Sequence, residues 1–399
     1  MPFFKQSKLK NIKVRNIKHH RSHASAGYYT SKFNDAVIVV LDAIGEFETS
    51  TIWVGEENKL KQVYSQKYPF SFGLFYSAFT NLIGLKPNQE EYIMMGMAAY
   101  GNSKKYFKKV NEYFPSITKQ KYNFHKGILD WNENIDEESK FDIAAAVQKV
   151  YELRLIEFMQ YAKAKTGKYN LVFMGGCALN SSANTVLWKL FDDIWIMPNP
   201  GDAGSSLGAA AALYGKHLNW KTPYLGYDLN GKYPVDKIFS SLLINKIAAV
   251  ASGKAEFGPR ALGNRSLLAD PRIDNIKDRM NHIKKRERFR PFAAVIPLEL
   301  AGGYFNMKGI SESPYMQYAV PCVRPDLYKG IVHVDGTSRI QTVTKTQHPG
   351  LHTLLMQWYQ QTGCPMLINT SLNVKNQPLV NDLTDARCFE SLYNIPVFS

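Results

Sequence analysis

Two short apolar segments, each followed by a glycine-rich turn and then by a helical pattern, constrain the fold of this chain most strongly. The segments are residues 169–174 and 194–197. A strand, glycine turn and helix in succession direct backbone N–H groups and the positive end of the helix toward a phosphate. Two such units in tandem predict an α/β fold with a phosphate-binding site at this edge. The turn residues expected there are Gly175, Gly176, Asn180, Gly201 and Gly204.

The remaining apolar patterns predict two α/β domains. Residues 36–42 read as a buried strand that pairs with residues 48–54 as a hairpin through Gly45. Helical periodicity predicts a long helix over 141–166, and a capped helix is expected over 181–191. Residues 102–140 read as a polar, irregular insertion, and the Pro/Gly-rich stretch 216–237 as a boundary. The predicted domains are therefore 1–225 and 235–399.

A candidate metal site precedes these units. His19 and His23 stand four residues apart, so a helix would place both imidazoles on one face. The strand that follows ends in Asp42, and two histidines with one carboxylate can supply three ligands to a divalent metal. From these residues alone, the alternative is a surface His19, a partly packed His20 and a turn-forming Asp42.

Composition indicates an ordinary globular protein. The 399 residues are 45% hydrophobic and 21% charged, and no apolar run is long enough for a membrane span. Four cysteines without a CxxC pair fit a reducing compartment, and no secretory signal is visible, so we expect a cytoplasmic protein. A net charge of +15 is compatible with nucleic acid, an anionic membrane surface or phosphorylated small molecules, and equally with a solvated lysine-rich surface.

Seven segments, all in the family's order, resemble the nodulation-type O-carbamoyltransferases, which carbamoylate hydroxyls on antibiotics, Nod factors and other sugars. The matching segments are His19-x-x-x-His23-Ala24 with Asp42-x-x-Gly45-Glu46, then residues 95–101, 175–180, 199–204, 256–266, 284–293 and 369–373. The resemblance runs from residue 19 to about residue 380. It identifies the chain as a member of that family.

The resemblance implies an incomplete actin/Hsp70-type (ASKHA, RNase H-like) N-terminal domain and a YrdC-like C-terminal domain. The first would hold a metal, iron(II) in the family, and transfer the carbamoyl group to a hydroxyl of a small sugar-like acceptor. The second would form carbamoyl-adenylate from carbamoyl phosphate and ATP with Mg²⁺. The metal ligands carried over are His19, His23, Asp42 and Asp202. The phosphate bound at the glycine turns would then belong to a nucleotide, and the implied nucleotide-binding residues are Gly175, Gly176, Asn180, Gly201, Gly204, Ser371 and Asn373.

The chemistry of the basic residues fits this reading. ATP and carbamoyl phosphate are polyanions, and arginine forks hold phosphate oxygens in pairs whereas lysine is a point charge. The residues predicted to bind carbamoyl phosphate are Arg260, Arg265, Arg290 and Asn369. The predicted catalytic residues are His20, Lys284, Arg286 and Arg260. The alternative for Arg260 and Arg265 is a structural salt-bridge network.

The chain departs from the family pattern at its start, because the family's first segment has no counterpart before His19. A fragment, a split enzyme with a separate N-terminal subunit, and a reduced version remain open, as does a homodimer. Two other functions also stay open: a tRNA threonylcarbamoyl-type transferase, and a nucleotide- or metal-binding subunit without turnover. We expect neither a membrane nor a nucleic-acid partner. The acceptor is not identified, and a His₂Asp₂ ligand set suits iron, manganese or zinc.

Overall fold

The structure, a computed structural model, describes residues 14–399. The expectation of a missing opening segment concerns the first residues and lies outside this range. A five-stranded sheet of order β3-β2-β1-β4-β5 organises the N-terminal part. Its strands are β1 Asp35–Gly45, β2 Glu48–Glu56, β3 Lys59–Lys67, β4 Asn170–Met174 and β5 Asp193–Trp195. The predicted hairpin is confirmed, because β1 pairs antiparallel with β2, and β1 also runs parallel to β4.

Helices cover both faces of this sheet. They are α1 His19–Thr30, α2 Phe72–Leu82, α3 Glu91–Met97, α4 Ser103–Tyr113, α5 Glu137–Thr166, α6 Ser181–Asn184 and α7 Ser205–Tyr214. Successive residues of β1 enter different cores: Val37 and Val39 pack with α2 and α5, whereas Ile38 and Val40 pack with α1. This alternation is why the strand is apolar throughout, since both of its faces are buried.

A seven-stranded sheet of order β11-β12-β10-β13-β9-β7-β14 organises the C-terminal part, and β6 and β8 form a separate pair. These strands are β6 Tyr224–Asp228, β7 Ile247–Ala251, β8 Lys254–Glu256, β9 Arg265–Ala269, β10 Ala293–Pro297, β11 Tyr318–Pro321, β12 Thr337–Val343, β13 Leu367–Ser371 and β14 Val397–Phe398. The helices are α8 Val235–Asn245, α9 Ile276–Ile283, α10 Leu298–Tyr304, α11 Pro349–Thr362 and α12 Leu383–Tyr393. Antiparallel and parallel pairs are mixed, as in β10, which is antiparallel to β13 and parallel to β12.

The α/β expectation is confirmed, and two local predictions are wrong. The helix expected over 181–191 is only α6, followed by a 3₁₀ turn at Leu187–Lys189. The last residue of α6 and the one after it form hydrogen bonds with the C-terminal part. Asn184 Nδ2 donates to the Gln317 carbonyl, and Thr185 Oγ1 donates to the Ala319 carbonyl. The stretch 102–140 contains α4 rather than being irregular throughout. In the part of the chain that the structure describes, no helix is long and apolar enough to cross a membrane.

Candidate functional site

Four side chains from three separate regions meet at one point. His19 Nε2 and His23 Nε2 each lie 3.2 Å from Asp42 Oδ2 and 3.2 Å from Asp202 Oδ1. The two imidazole nitrogens are 3.0 Å apart. Atoms spaced in this way can all lie about 2.0–2.2 Å from one ion, the usual N/O bond length of zinc-like divalent metals. The structure therefore brings together the four residues predicted as metal ligands.

A helix, a strand end and a turn place these four ligands. Helix α1 presents His19 and His23 on one face because they are four residues apart. The pairing of β1 with β2 shifts register between Leu41 and Gly45, beside Asp42. Asp202 lies in the turn before α7, and α7 approaches α1 so closely that a Cβ on Gly208 would lie 2.1 Å from the Ser22 carbonyl oxygen.

The electrostatics of the cluster favour a cation. Both Nε2 atoms and both carboxylate oxygens converge on one point, so a cation there, either a proton on an imidazole or a metal ion, is stabilised by the two carboxylates. Contact with Asp202 and then Asp42 raises the pKa of His19 to about 10, and contact with His19 and His23 lowers the pKa of Asp202. A histidine and carboxylate donor set suits a divalent transition metal, so these residues fit the metal that the resemblance implies.

A cavity of about 600 Å³ adjoins the cluster and extends to the C-terminal sheet. Asp42 and Asp202 line one part of it, and four arginines line another. Ten of the residues that the sequence predicted for the site line this cavity: Asp42, Gly176, Asn180, Gly201, Asp202, Arg260, Arg286, Arg290, Asn369 and Ser371. The two sets of residues that the sequence assigned to separate domains thus share one space.

The arginine part of the cavity carries positive charge that its acidic neighbours in residues 14–399 neutralise only in part. Burial and the neighbouring Arg290 lower the pKa of Arg260 to about 10 and that of Arg286 to about 9. Arg290 is paired with Glu287 at 3.4 Å, whereas Arg260 donates only to the Leu179 carbonyl among the described contacts. Guanidinium groups held close together in this way would be stabilised by a multiply charged anion.

Arg265 is the clearest correction to the predicted carbamoyl phosphate site. Its side chain is fully buried and does not line the cavity. The guanidinium donates to five backbone carbonyls, those of Ser252, Gly253, Asn264, Tyr227 and Asn381. With both terminal amino groups of its guanidinium used by the backbone, Arg265 joins the loops beside β7 and β9 and is not placed to bind a substrate in the cavity.

The predicted catalytic Lys284 does not line the cavity either. Its ammonium donates to the carbonyls of Ser371 and Asn373 at 2.6 and 2.8 Å, and to the Asn373 Oδ1 at 3.0 Å. Burial, followed by repulsion from Arg286 and Arg290, lowers the pKa of Lys284 well below its ordinary value. The structure therefore brings Lys284, Ser371 and Asn373 together, and of these three Ser371 lines the cavity.

His20 lies behind the metal-ligand cluster rather than in the cavity. It is fully buried, its Nδ1 is 2.9 Å from Thr51 Oγ1, and burial lowers its pKa to about 4. Its catalytic role stays a prediction. Gly175 and Gly204 do not line the cavity either. A Cβ at Gly175, whose φ is +90°, would lie 2.1 Å from the Leu41 carbonyl oxygen, and one at Gly204 equally close to that of Asn199.

The sequence interpretation missed one residue of the arginine part. Arg339 lines the cavity, and its buried Nε has no hydrogen-bond partner within residues 14–399. Burial and repulsion from Arg260, Arg286 and Arg290 lower its pKa well below the ordinary value. Arg339 lies in the middle of β12, remote in sequence from the other arginines, and only the order of the strands brings it to them.

Comparison with known proteins defines the class of this molecule. Residues 4–211 match the family model described as carbamoyltransferase N-terminus, and residues 240–395 match carbamoyltransferase C-terminus. The nodulation protein NolO of Bradyrhizobium diazoefficiens is 30% identical over 93% of this chain and 75% of its own length. A 3'-hydroxymethylcephem-O-carbamoyltransferase of Amycolatopsis lactamdurans is 28% identical over 94% of this chain and 77% of its own.

Another relative, the uncharacterized protein sll1178 of Synechocystis, is 32% identical over 93% of this chain and 73% of its own length. Among solved structures, T. kodakarensis HypF aligns with a TM-score of 0.29 and 13% identity over 53% of this chain and 38% of HypF, too weakly to bear on the fold. Both halves of the chain therefore match one class of transferase enzymes. The chain belongs to the carbamoyltransferase family, with nodulation and antibiotic O-carbamoyltransferases among its relatives, which confirms the resemblance seen in the sequence.

Proposed function

We propose that this protein is an O-carbamoyltransferase that activates carbamoyl phosphate with ATP and passes the carbamoyl group to a hydroxyl of a small, sugar-like acceptor. The observation that carries the proposal is the shared cavity, in which a His₂Asp₂ cluster adjoins a set of arginines. The relatives named for nodulation and for O-carbamoylation of a hydroxymethylcephem support a hydroxylated acceptor. The five-stranded sheet and the C-terminal sheet support the expected ASKHA-like and YrdC-like assignments.

In the donor half-reaction, carbamoyl phosphate loses phosphate to water, and the resulting carbamate oxygen attacks the α-phosphorus of ATP. The bond from the α-phosphorus to the β-phosphate bridge breaks, and pyrophosphate leaves with Mg²⁺. Arg260, Arg286, Arg290 and Arg339 would hold the phosphoryl oxygens and stabilise the charge that develops on them. Asn369 Nδ2 is used by Gln341 and the Ala261 carbonyl, but its buried Oδ1 has no partner within residues 14–399 and could accept from the carbamoyl nitrogen.

In the transfer half-reaction, the acceptor oxygen attacks the carbamoyl carbon, AMP leaves and the hydroxyl proton is released. His19, His23, Asp42 and Asp202 would hold a divalent ion, for which we propose iron(II). When bound, such an ion supplies a Lewis acid beside the reacting groups. The protein itself orients the acceptor within the cavity wall and keeps the adenylate and the acceptor in one space, so that the intermediate need not cross bulk water.

The experiment that tests this function measures pyrophosphate released from ATP and Mg²⁺, with and without carbamoyl phosphate. We expect release that depends on carbamoyl phosphate and that is lost in Arg260→Met. The matched control is Arg324→Met, since Arg324 is exposed and pairs only with Asp326 among the described contacts. A folded protein that binds ATP but releases no pyrophosphate under these conditions would contradict the proposal.

A further inference from the structure

One face of the α3 segment contacts the loop that carries two of the cavity arginines. Tyr92, Gly96 and Tyr100 are spaced four residues apart, so they share a face of α3 and of the turn that continues it. Opposite this face lie three consecutive residues of the C-terminal part, Phe289, Arg290 and Pro291. The segment 95–101 was singled out in the sequence, but neither half-reaction uses it.

Each position on the helix face meets one residue of the loop. The Arg290 guanidinium lies over the Tyr92 ring, 4.7 Å from its centroid. A Cβ built on Gly96 would lie 4.0 Å from Pro291 Cδ, so the two surfaces are in van der Waals contact range without a side chain between them. Tyr100 Oη donates to the Phe289 carbonyl at 3.1 Å.

The Phe289 side chain adds further contacts between the loop and the N-terminal part. Its ring packs edge-on against Tyr100 and against Phe141 of α5, with centroid distances of 6.1 and 5.8 Å. The His333 ring, from a different C-terminal segment, also packs against the Tyr100 ring, with a centroid distance of 5.1 Å. Tyr100 therefore touches both the arginine loop and the segment before β12, which carries Arg339.

We infer that the face formed by Tyr92, Gly96 and Tyr100 is a dock that positions the arginine loop, residues 286–291, for binding of the phosphorylated donor. Arg286 has hydrogen bonds to Asn281 and the Pro291 carbonyl, all inside its own half. Arg290 also pairs with Glu287 of that half, but its guanidinium and the neighbouring Phe289 carbonyl have further contacts with the N-terminal part. The N-terminal part thereby completes the donor site of the C-terminal part. We assign Tyr92 and Tyr100 as positioning residues: Tyr100 does not line the cavity, and Tyr92, which does, contacts the Arg290 guanidinium. The inference rests on the proposed function for its kinetic consequence.

The sharpest perturbation is Gly96→Leu, which inserts a side chain where the dock has none. Its matched control is Gly302→Leu, because Gly302 is also in a helix, is exposed and has nothing within 4 Å of an added Cβ. We expect Gly96→Leu to increase amide hydrogen exchange in residues 286–290, whereas Gly302→Leu leaves that exchange unchanged. This measurement needs no turnover, so it tests the dock even if the proposed reaction fails.

The kinetic test uses Tyr100, where two substitutions separate its groups. Tyr100→Phe removes the hydrogen bond and keeps the ring, and we expect the KM for carbamoyl phosphate in pyrophosphate release to rise about 2- to 10-fold. Tyr100→Ala also removes the ring contacts with Phe289 and His333, and a rise of roughly 10- to 100-fold is expected. In both variants kcat should change by less than about 2-fold, because a positioning loss that substrate binding can restore appears in KM.

Both the hydrogen-exchange test and the kinetic test can overturn the inference. Unchanged exchange of residues 286–290 in Gly96→Leu and Tyr100→Ala would show that no dock exists. Increased exchange with an unaltered KM would show that the contact holds the two halves together without positioning the donor site. A loss of kcat in Tyr100→Phe, with the KM unchanged, would also overturn the assignment. Absence of pyrophosphate from the unsubstituted protein would instead contradict the proposed function and leave the exchange arm to decide the dock.

Discussion

Replacing Arg339 with methionine is expected to stabilise the ligand-free protein while weakening its affinity for phosphate. Arg339 lines the cavity, its Nε has no partner within residues 14–399, and its neighbours there are three further arginines. A buried charge without a counter-charge destabilises a fold, and replacing buried ionic groups by apolar ones of similar volume is often stabilising. Methionine retains most of the volume of the aliphatic stem while removing the charge.

The expected magnitudes follow from these contacts. The gain in unfolding free energy without ligand should be about 1–3 kcal/mol, within the range seen when buried ionic groups are replaced. Losing one charged hydrogen-bond donor set should weaken phosphate binding by about 1.5–3 kcal/mol, which corresponds to roughly 10- to 150-fold in Kd. Phosphate at 100 times its Kd for the unsubstituted protein should stabilise that protein by about 2.7 kcal/mol. The variant should gain far less at the same concentration.

Urea unfolding at neutral pH and low salt, with and without inorganic phosphate, measures both effects. Arg324→Met is the control, because Arg324 is exposed and its salt bridge to Asp326 is also exposed, so its effect should stay within about 0.5 kcal/mol. If Arg339→Met lowered the stability of the ligand-free protein and phosphate still stabilised it as much as the unsubstituted chain, the anion-site reasoning would be refuted.

Three further predictions concern residues that the sequence singled out or the fold buries. Arg265→Met should destabilise the fold by about 3–5 kcal/mol in urea unfolding, since five carbonyls lose the guanidinium as a donor; a stable variant with only weakened carbamoyl phosphate binding would restore its predicted role. Burial lowers the pKa of His348 from 6.5 to about 4, so stability should fall as pH drops below 6.5, by about 2 kcal/mol at pH 5. His348→Asn, which keeps a cap acceptor for the Leu351 N–H, should remove this contribution and leave that of His20, and an unaltered pH profile would contradict the prediction. His19→Ala should abolish stoichiometric metal in elemental analysis of the folded protein, whereas unchanged metal content would disprove the cluster.

The metal-ligand cluster was predictable in part because its geometry is local. The spacing of His19 and His23 fixes a shared helix face, and an apolar run that ends in Asp42 marks a strand end. The hairpin of β1 and β2 follows from the same pattern. Asp202 could be assigned only through the family resemblance, since its approach depends on how closely α7 packs against α1.

Other features depend on contacts that no local pattern encodes. The strand β3 has three lysines and two glutamines among its nine residues, none of its residues is fully buried, and it lies at the sheet edge, so it has no apolar run to reveal it. Arg265 and Arg339 have the same side chain, but one turns toward backbone carbonyls and the other toward the cavity, which sheet register decides. The helix expected after Asn180 ends early because Asn184 and Thr185 bond to the strand β11 region.

The central claim, that one cavity joins donor activation to carbamoyl transfer, is tested most directly with isotope-labelled carbamoyl phosphate. The protein, loaded with iron(II), would be given ATP, Mg²⁺ and a panel of small hydroxylated acceptors, and the products analysed by mass spectrometry. We predict a labelled carbamate ester on an acceptor hydroxyl, formed together with AMP and pyrophosphate and lost in both Arg260→Met and His19→Ala. Pyrophosphate release that survives Arg260→Met, or a labelled ester formed without ATP, would contradict the account.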